Sequence, residues 1–151
     1  MLIKTQVRGL MFDAYHNVYI LVLDHEDPSG VLPIRIEKAD AQALSFAIEG
    51  VFTQRPLTHD LFKNILDTLG AKMLSAVISD LKEEVYYAKI HLIYRDSEFA
   101  IDARPSDAVA MALRMDVPVF VAEGVIQQQT ANEIDRWLGD LKPEDFGRHS
   151  M

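Results

Sequence analysis

Two short segments of the chain concentrate the residue types that handle phosphates and protons. The first is RPLTHD, residues 55–60, which contains Arg55, Thr58, His59 and Asp60 at the predicted start of a helix. A helix N-terminus offers free N–H groups and a positive dipole end, and an arginine adds a bidentate donor for phosphate. Because His59 is the one histidine in a concentrated polar setting, it is the candidate general acid or base. The alternative is structural: Thr58 caps the helix, Asp60 favours its dipole, and His59 is merely exposed.

The second feature is a pair of aspartates, Asp40 and Asp107, each predicted in the first turn of a helix. A carboxylate there interacts favourably with the helix dipole, by about 0.3–1 kcal/mol, and this interaction alone could explain both residues. Each aspartate also aligns with apolar residues at four-residue steps, which places the carboxylate near the sheet, where it needs a partner. Arg35, Arg104 or a metal ion could be that partner.

Composition limits the classes of function that these residues could serve. The 151-residue chain has a formal net charge of −8, which argues against nonspecific binding of nucleic acid through lysine and arginine, though not against a local basic patch. It has no cysteine, which excludes disulfides, thiolate metal sites and cysteine nucleophiles. No segment resembles a signal peptide or a membrane span, so we expect a cytoplasmic protein without a membrane partner. The motifs of P-loop proteins, dinucleotide-binding folds and serine hydrolases are absent.

Hydrophobic patterning predicts the order of the strands and helices. Alternating and β-branched runs predict strands at 5–12, 17–23, 31–36, 71–80, 84–94, 99–103 and 117–122. Helical spacing predicts helices at 38–50, 56–70, 105–116 and 130–141. Thr58 is the predicted N-cap of the second helix, Thr130 and Glu133 form a predicted capping box in the last, and Gly50 and Gly70 are predicted ends.

The chain also shows a weak internal repeat. An offset of 67 positions aligns Asp13 with Asp80, Val18 with Val85, Tyr19 with Tyr86, Ile34 with Ile101, Asp40 with Asp107, Ala41 with Ala108 and Ala43 with Ala110. Since the predicted elements match as well, the expected fold is α+β, with a duplicated unit of three strands and two helices. We expect residues 1–140 to form one domain, with repeats at about 7–70 and 74–140, followed by a polar tail, 141–151. The two repeats should share one mainly antiparallel, strongly curved sheet with flanking helices.

Four segments resemble the bifunctional nuclease family: LPIRIEKADAQALSFAIEGV, RPLTHDLFKNILDTLGAK, IDARPSDAVAMALR and PVFVAE. The resemblance covers about residues 5–125 and implies an α+β fold with a duplicated unit, together with nuclease activity on both DNA and RNA. The motif positions that transfer are Arg55, Thr58, His59, Asp60, Arg104, Ser106 and Asp107. Asp40 occupies a position where the family more often has Glu, a change that keeps the charge but shortens the reach.

The resulting hypothesis is a nuclease that hydrolyses phosphodiester bonds in DNA and RNA. The expected catalytic residues are His59, Asp60 and Asp107, and the expected substrate-binding residues are Arg55, Thr58, Arg104 and Ser106. A Mg²⁺ or Mn²⁺ ion held by Asp40 and Asp107 could activate water, and no organic cofactor is expected. The alternative is a non-catalytic module that binds a ligand or a protein, in which the aspartates only stabilise helices. A homo-oligomer is a third alternative, and the small residues of the 38–50 helix support it.

Overall fold

The computed structural model describes residues 1–25 and 30–129. The strands are β1 (Leu2–Asp13), β2 (Val18–His25), β3 (Gly30–Ile36), β4 (Lys72–Lys82), β5 (Val85–Tyr94), β6 (Ser97–Ala103) and β7 (Val119–Ala122). The helices are α1 (Lys38–Glu49), α2 (Thr58–Leu69), α3 (Pro105–Met115) and α4 (Glu123–Gln129). The predicted helix at 130–141 with its Thr130–Glu133 capping box, and the predicted polar tail at 141–151, lie outside the described residues.

The seven described strands form one sheet with the order β3-β2-β1-β7-β4-β5-β6. Strands β1–β3 pair antiparallel with their sequence neighbours, and so do β4–β6. Strand β7 lies between the two groups, antiparallel to β1 and parallel to β4. The hydroxyl of Thr5 also donates a hydrogen bond to the carbonyl of Val119, at 3.0 Å. The predicted α+β class and the single, mainly antiparallel sheet are confirmed, whereas the duplication and the strong curvature stay predictions.

Helices α1 and α3 cover one face of this sheet and enclose the main hydrophobic core. Side chains alternate between the faces of a strand, so Leu21 and Leu23 of β2 belong to this core, whereas Ile20 and Val22 join a smaller cluster on the other face. Helix α3 is central, because it contacts α1, α2, β4 and β5. Its residues Ala108–Ala112 are buried, which fixes the backbone that carries the polar residues at its start.

Helix α2 lies at the edge of this core, although its sequence has a clear apolar stripe. None of its residues is buried, and Leu61, Phe62, Ile65 and Leu69 are 44–59% exposed. Leu66 is the residue of the stripe that packs against the core. Helical spacing predicted this helix but not how little of it would be buried against the rest of the protein. Polar contacts with α3 therefore contribute much of what holds α2 in place.

The start of α2 differs from the prediction. The helix begins at Thr58, and Leu57 occupies the N-cap position, so the capping role predicted for Thr58 is wrong. The carboxylate of Asp60 reaches back instead and accepts a hydrogen bond from the backbone N–H of Leu57, at 3.1 Å. Because Asp60 satisfies this free donor, an apolar residue can occupy the cap position.

Helix α4 was not predicted. Its seven residues, EGVIQQQ, contain only two neighbouring apolar positions, Val125 and Ile126, and this is too short a run to show helical spacing. Both of these side chains are buried, so packing rather than local pattern accounts for the helix. Among the helices of the described residues, none has the length and apolar character needed to cross a bilayer.

The glycine that ends α2 gives a prediction about stability. Gly70 has a φ of 78°, and the chain turns there so that the N–H of Ala71 bonds to the carbonyl of Leu66, at 2.9 Å. We expect Gly70→Ala to lower the free energy of unfolding by about 1 kcal/mol, because a side chain is unfavourable in the left-handed region. Gly124→Ala is the matched control, since no atom lies within 4 Å of the added Cβ and no positive φ is required. Urea unfolding of both variants checks this, and equal losses would contradict it.

Candidate functional site

The starts of α1 and α3 are joined through one arginine, Arg104, which directly precedes α3. Its Nη1 and Nη2 atoms donate hydrogen bonds to the two carboxylate oxygens of Asp40, at 3.0 and 2.9 Å. Its Nε atom donates to Asp107 Oδ2 at 2.9 Å. Of the two arginines that the sequence offered as partners, Arg104 is the one that binds both aspartates. It thereby connects the two positions that the internal repeat had aligned.

Helix α2 joins this network through His59. The Nε2 atom of His59 lies 3.0 Å from Asp107 Oδ1, and the imidazole is only 12% exposed. An ionised carboxylate can only accept hydrogen bonds, so in the neutral imidazole Nε2 carries the hydrogen and Nδ1 keeps the lone pair. Asp40, Arg104, Asp107 and His59 thus form a continuous chain across three helices, which we call the four-residue network. Its imidazole can accept a proton at Nδ1.

Asp60 belongs to a second contact between α2 and α3. Its Oδ1 atom accepts a hydrogen bond from Arg114 Nε at 2.9 Å. The guanidinium of Arg114 also donates to the backbone carbonyls of Ala110 and Ala43, each at 3.4 Å. The side chain of Arg114 is only 8% exposed, whereas that of Asp60 is 38% exposed. Arg114 therefore links α3 to α2 and to the backbone of α1, and we call the Asp60–Arg114 pair the clamp.

Asp60 of α2 and Asp107 of α3 are held in their ionised form. Burial alone would raise the pKa of Asp107, but hydrogen bonds from Arg104 and His59 outweigh it and the pKa lies below its ordinary value. Burial would likewise raise the pKa of Asp60, but Arg114 and the N–H of Leu57 lower it. The hydrogen bond to Asp107 is the main reason that the pKa of Arg104 is raised. Asp60, Asp107 and Arg104 are therefore charged at neutral pH.

These pKa directions predict how stability changes with acid. Because the folded pKa of Asp107 and Asp60 is lowered, their contribution is fully present above the unfolded value of about 4 and is lost as pH falls through the folded pKa. We expect the free energy of unfolding to fall as the pH is lowered below about 4. In Asp107→Asn the fall should be shallower, since one titrating group is gone. Urea unfolding across the acid range measures both slopes, and identical slopes would count against the network.

A cleft of about 770 Å³ opens beside the four-residue network. Asp40 and Arg104 line it, and so does Ser106, which is only 5% exposed. In the described residues Asp107 and His59 do not line the cleft, and Arg104 connects them to it. The predicted residues therefore converge on one place, but only part of them can touch a molecule inside the cleft.

Arg55 and Thr58 lie apart from this arrangement. Both are exposed, in the segment before α2 and at its first residue. Within residues 1–25 and 30–129, neither side chain makes a hydrogen bond or an ion pair. Their predicted role in binding substrate stays a prediction. Neither residue belongs to the four-residue network.

The arrangement of Asp40 and Asp107 does not suit a metal ion as it stands. No three His, Asp or Glu side chains of the described residues come together in a way that could hold one. The guanidinium of Arg104 occupies the space between the two carboxylates and bonds to both oxygens of Asp40. A cation bound between them would have to displace this charged partner. The Mg²⁺ or Mn²⁺ ion stays a prediction, and these side chains would hold it only after rearrangement.

Comparison with known proteins places the chain in a family. The profile of the bifunctional nuclease domain matches residues 21–133, which include α1, α2, α3 and the four-residue network. The chain belongs to the bifunctional nuclease domain family. Three of the four segments that suggested this resemblance from sequence carry the residues of the four-residue network.

Relatives of the chain fall into two groups. An uncharacterised protein of Mycobacterium tuberculosis is 38% identical over 125 residues, which are 83% of this chain and 74% of that protein. Bifunctional nuclease 2 of Arabidopsis thaliana is 30% identical over 105 residues, and bifunctional nuclease 1 of Oryza sativa is 27% identical over 107 residues. These matches cover 67% and 68% of this chain but only 32% of each plant protein. The plant proteins therefore share the domain within much longer chains.

Sequence reasoning missed one residue that organises the site of this bifunctional nuclease domain, Arg114. It lies seven residues after Asp107, and this spacing places the two on the same side of α3. A charged residue at that spacing from a motif aspartate is a signal that could have identified it. The carboxylate it binds, however, is 54 positions away in sequence, so its partner could not be named without the packing of α2 on α3.

Proposed function

We propose that this bifunctional nuclease domain hydrolyses phosphodiester bonds in nucleic acid. The observation that carries the proposal is the chain of contacts from Arg104 through Asp107 to His59. It pairs a phosphate-binding cation, 59% exposed, with an imidazole whose tautomer is fixed by a carboxylate. A phosphate group and a proton acceptor are the two things that hydrolysis of a phosphodiester must bring together. Membership in the family, and the names of the plant relatives, support the same chemistry.

In the proposed reaction each residue has a separate task. Arg104 contacts the phosphate and stabilises the negative charge that develops on its oxygens. The Nδ1 atom of His59 accepts a proton from the attacking water as its oxygen bonds to phosphorus. The bond from phosphorus to the leaving strand then breaks, and the departing oxygen takes a proton from solvent. Asp107 holds His59 in the required tautomer, and Asp40 holds the guanidinium of Arg104 through two hydrogen bonds.

No step of this reaction passes through a metal ion, because Arg104 occupies the place between Asp40 and Asp107. A divalent ion would supply a Lewis acid and an activated water, but the residues would have to release Arg104 first. Asp60 has no chemical task in the proposal, since its carboxylate is engaged by Arg114 and by the backbone of Leu57.

Cleavage assays with purified protein test the proposal. We expect Asp107→Ala to lower the rate of cleavage of single-stranded DNA and RNA by about 100-fold or more, because it frees both His59 and Arg104. Asp102→Ala, at an exposed position of β6, is the matched control and should keep the wild-type rate. Equal cleavage by the Asp107→Ala protein, purified in the same way, would mean that the activity comes from elsewhere. The same assay with a chelator, and then with added Mg²⁺, tests the ion.

A specific observation also favours a second candidate, a non-catalytic binding module. Asp40 and Asp107 are already engaged by groups of the protein itself, so the network could serve only to fasten α1, α2 and α3 together. Under this alternative, Asp107→Ala lowers stability and no cleavage is found in the wild-type protein. The loss expected from the helix-end contact alone is about 1 kcal/mol.

A further inference from the structure

The helices that flank the cleft both begin without a side-chain cap. The cap position of α1 is Glu37 and that of α3 is Arg104, and in neither case does a side chain bond to the free N–H groups of the first turn. Glu37 and Arg104 both line the cleft, as do the residues that follow them. Two helix starts therefore present unsatisfied donors and positive dipole ends to one space.

Two buried polar side chains line the same cleft. Ser106 is 5% exposed and Gln129 is 6% exposed, and both are lining residues. Neither side chain has a hydrogen-bond partner among residues 1–25 and 30–129. Neither belongs to the fully buried polar atoms that lack a partner, so the hydroxyl and the amide remain accessible from the cleft. A ligand with hydrogen-bond acceptors would supply partners for both.

Charge limits what that ligand is. Among the described residues that line the cleft, the cations Arg35, Lys38 and Arg104 balance the anions Glu37, Asp40 and Glu84. Asp40 is neutralised by Arg104. Affinity for an anion must therefore come from hydrogen-bond donors in fixed positions, and not from an excess of positive charge. A small anion with several acceptor oxygens fits this setting better than a long polyanion held by bulk charge.

We propose that this cleft is a phosphate-binding site, with the starts of α1 and α3, the hydroxyl of Ser106 and the ammonium of Lys38 as its donors. The phosphate belongs either to a nucleic acid strand or to a free nucleotide, and the same donors serve both. Tyr19 and Tyr86 also line the cleft and offer rings against which a base can stack. The proposal rests on the proposed function only for the source of the phosphate, since binding does not require cleavage.

Titration of the full chain with inorganic phosphate, followed by NMR or calorimetry, tests the site. We expect saturable binding that is weakened by about tenfold in Lys38→Gln and by about fivefold in Ser106→Ala, the losses typical of one hydrogen bond to a charged group. Lys89→Gln is the matched control, because Lys89 is exposed on β5 and does not line the cleft. Because few cations take part, the affinity should depend only weakly on salt. Thermal unfolding confirms that each variant is folded.

The source of the phosphate is found by competition. A short single-stranded phosphorothioate oligonucleotide, which resists cleavage, should displace phosphate if a strand is the natural ligand, and AMP should displace it if a nucleotide is. Either result supports the site. Absence of saturable binding by all three probes would overturn it, and so would an equal loss in Lys89→Gln and Lys38→Gln. Cleavage is measured separately, so an active enzyme without phosphate binding in the cleft refutes this inference alone, whereas binding without cleavage refutes only the proposed function.

Discussion

We expect the His59→Gln protein to cleave phosphodiester bonds about 100- to 1,000-fold more slowly than the wild type, with little change in the free energy of unfolding. Loss of a positioned acid–base group ordinarily costs this much in rate. Glutamine can still donate a hydrogen bond to Asp107 Oδ1, where Nε2 of His59 now lies at 3.0 Å, but its amide cannot accept a proton near neutral pH. The substitution therefore separates the chemistry of His59 from its contribution to holding α2.

Steady-state kinetics distinguishes this from a binding defect. The loss should fall on kcat with KM nearly unchanged, because in the proposed reaction His59 acts on the attacking water and not on the bound phosphate. His91→Gln is the matched control, since His91 lies in β5, opposite Ala100 of β6, and is remote in sequence and contact from the network. A His59→Gln protein that keeps the wild-type kcat would remove His59 from the mechanism. A protein that loses stability as well would show that the imidazole is mainly structural.

Much of this site was visible in the sequence, because it lies at helix starts. Asp40 and Asp107 were predicted in equivalent first turns, and the structure places both there, facing a common partner. The choice of Arg104 over Arg35 was not predictable, because Arg104 reaches Asp40 across 64 positions of sequence. Such a contact depends on how α1 packs beside α3. Local spacing sets which residues lie at a helix end, whereas packing sets which of them meet.

The 55–60 segment shows that residues close together in the sequence need not share a partner in the fold. Sequence placed Arg55, His59 and Asp60 together as one polar cluster, but the structure sends them to three different environments. His59 turns to Asp107, Asp60 turns to Arg114, and Arg55 stays exposed. On a helix, consecutive residues project about 100° apart, so neighbours in sequence seldom share a partner. A cluster of polar residues at a helix start therefore indicates that these residues make contacts, but not that they form a single site.

The second large effect is expected in stability, from Asp60→Ala. This substitution leaves the guanidinium of Arg114, which is only 8% exposed, without its carboxylate. Removal of one partner from a fully buried pair costs about 3–5 kcal/mol, and because Asp60 is 38% exposed we expect about 2–3 kcal/mol. The N–H of Leu57 also loses its acceptor. Asp67→Ala, an exposed position on the same helix, should change the free energy of unfolding by less than about 0.5 kcal/mol.

A double variant separates the clamp from the catalytic role that the sequence suggested. In Asp60→Ala with Arg114→Met, no buried charge is left unpaired, so part of the lost stability should return. Because α2 has no buried residue of its own, hydrogen exchange of its amides should speed up in Asp60→Ala more than that of α3. At a temperature where the variant is folded, kcat should stay near the wild-type value. Full stability with a large loss of kcat would instead make Asp60 part of the chemistry, because a clamp cannot be removed without loosening the helix that it holds.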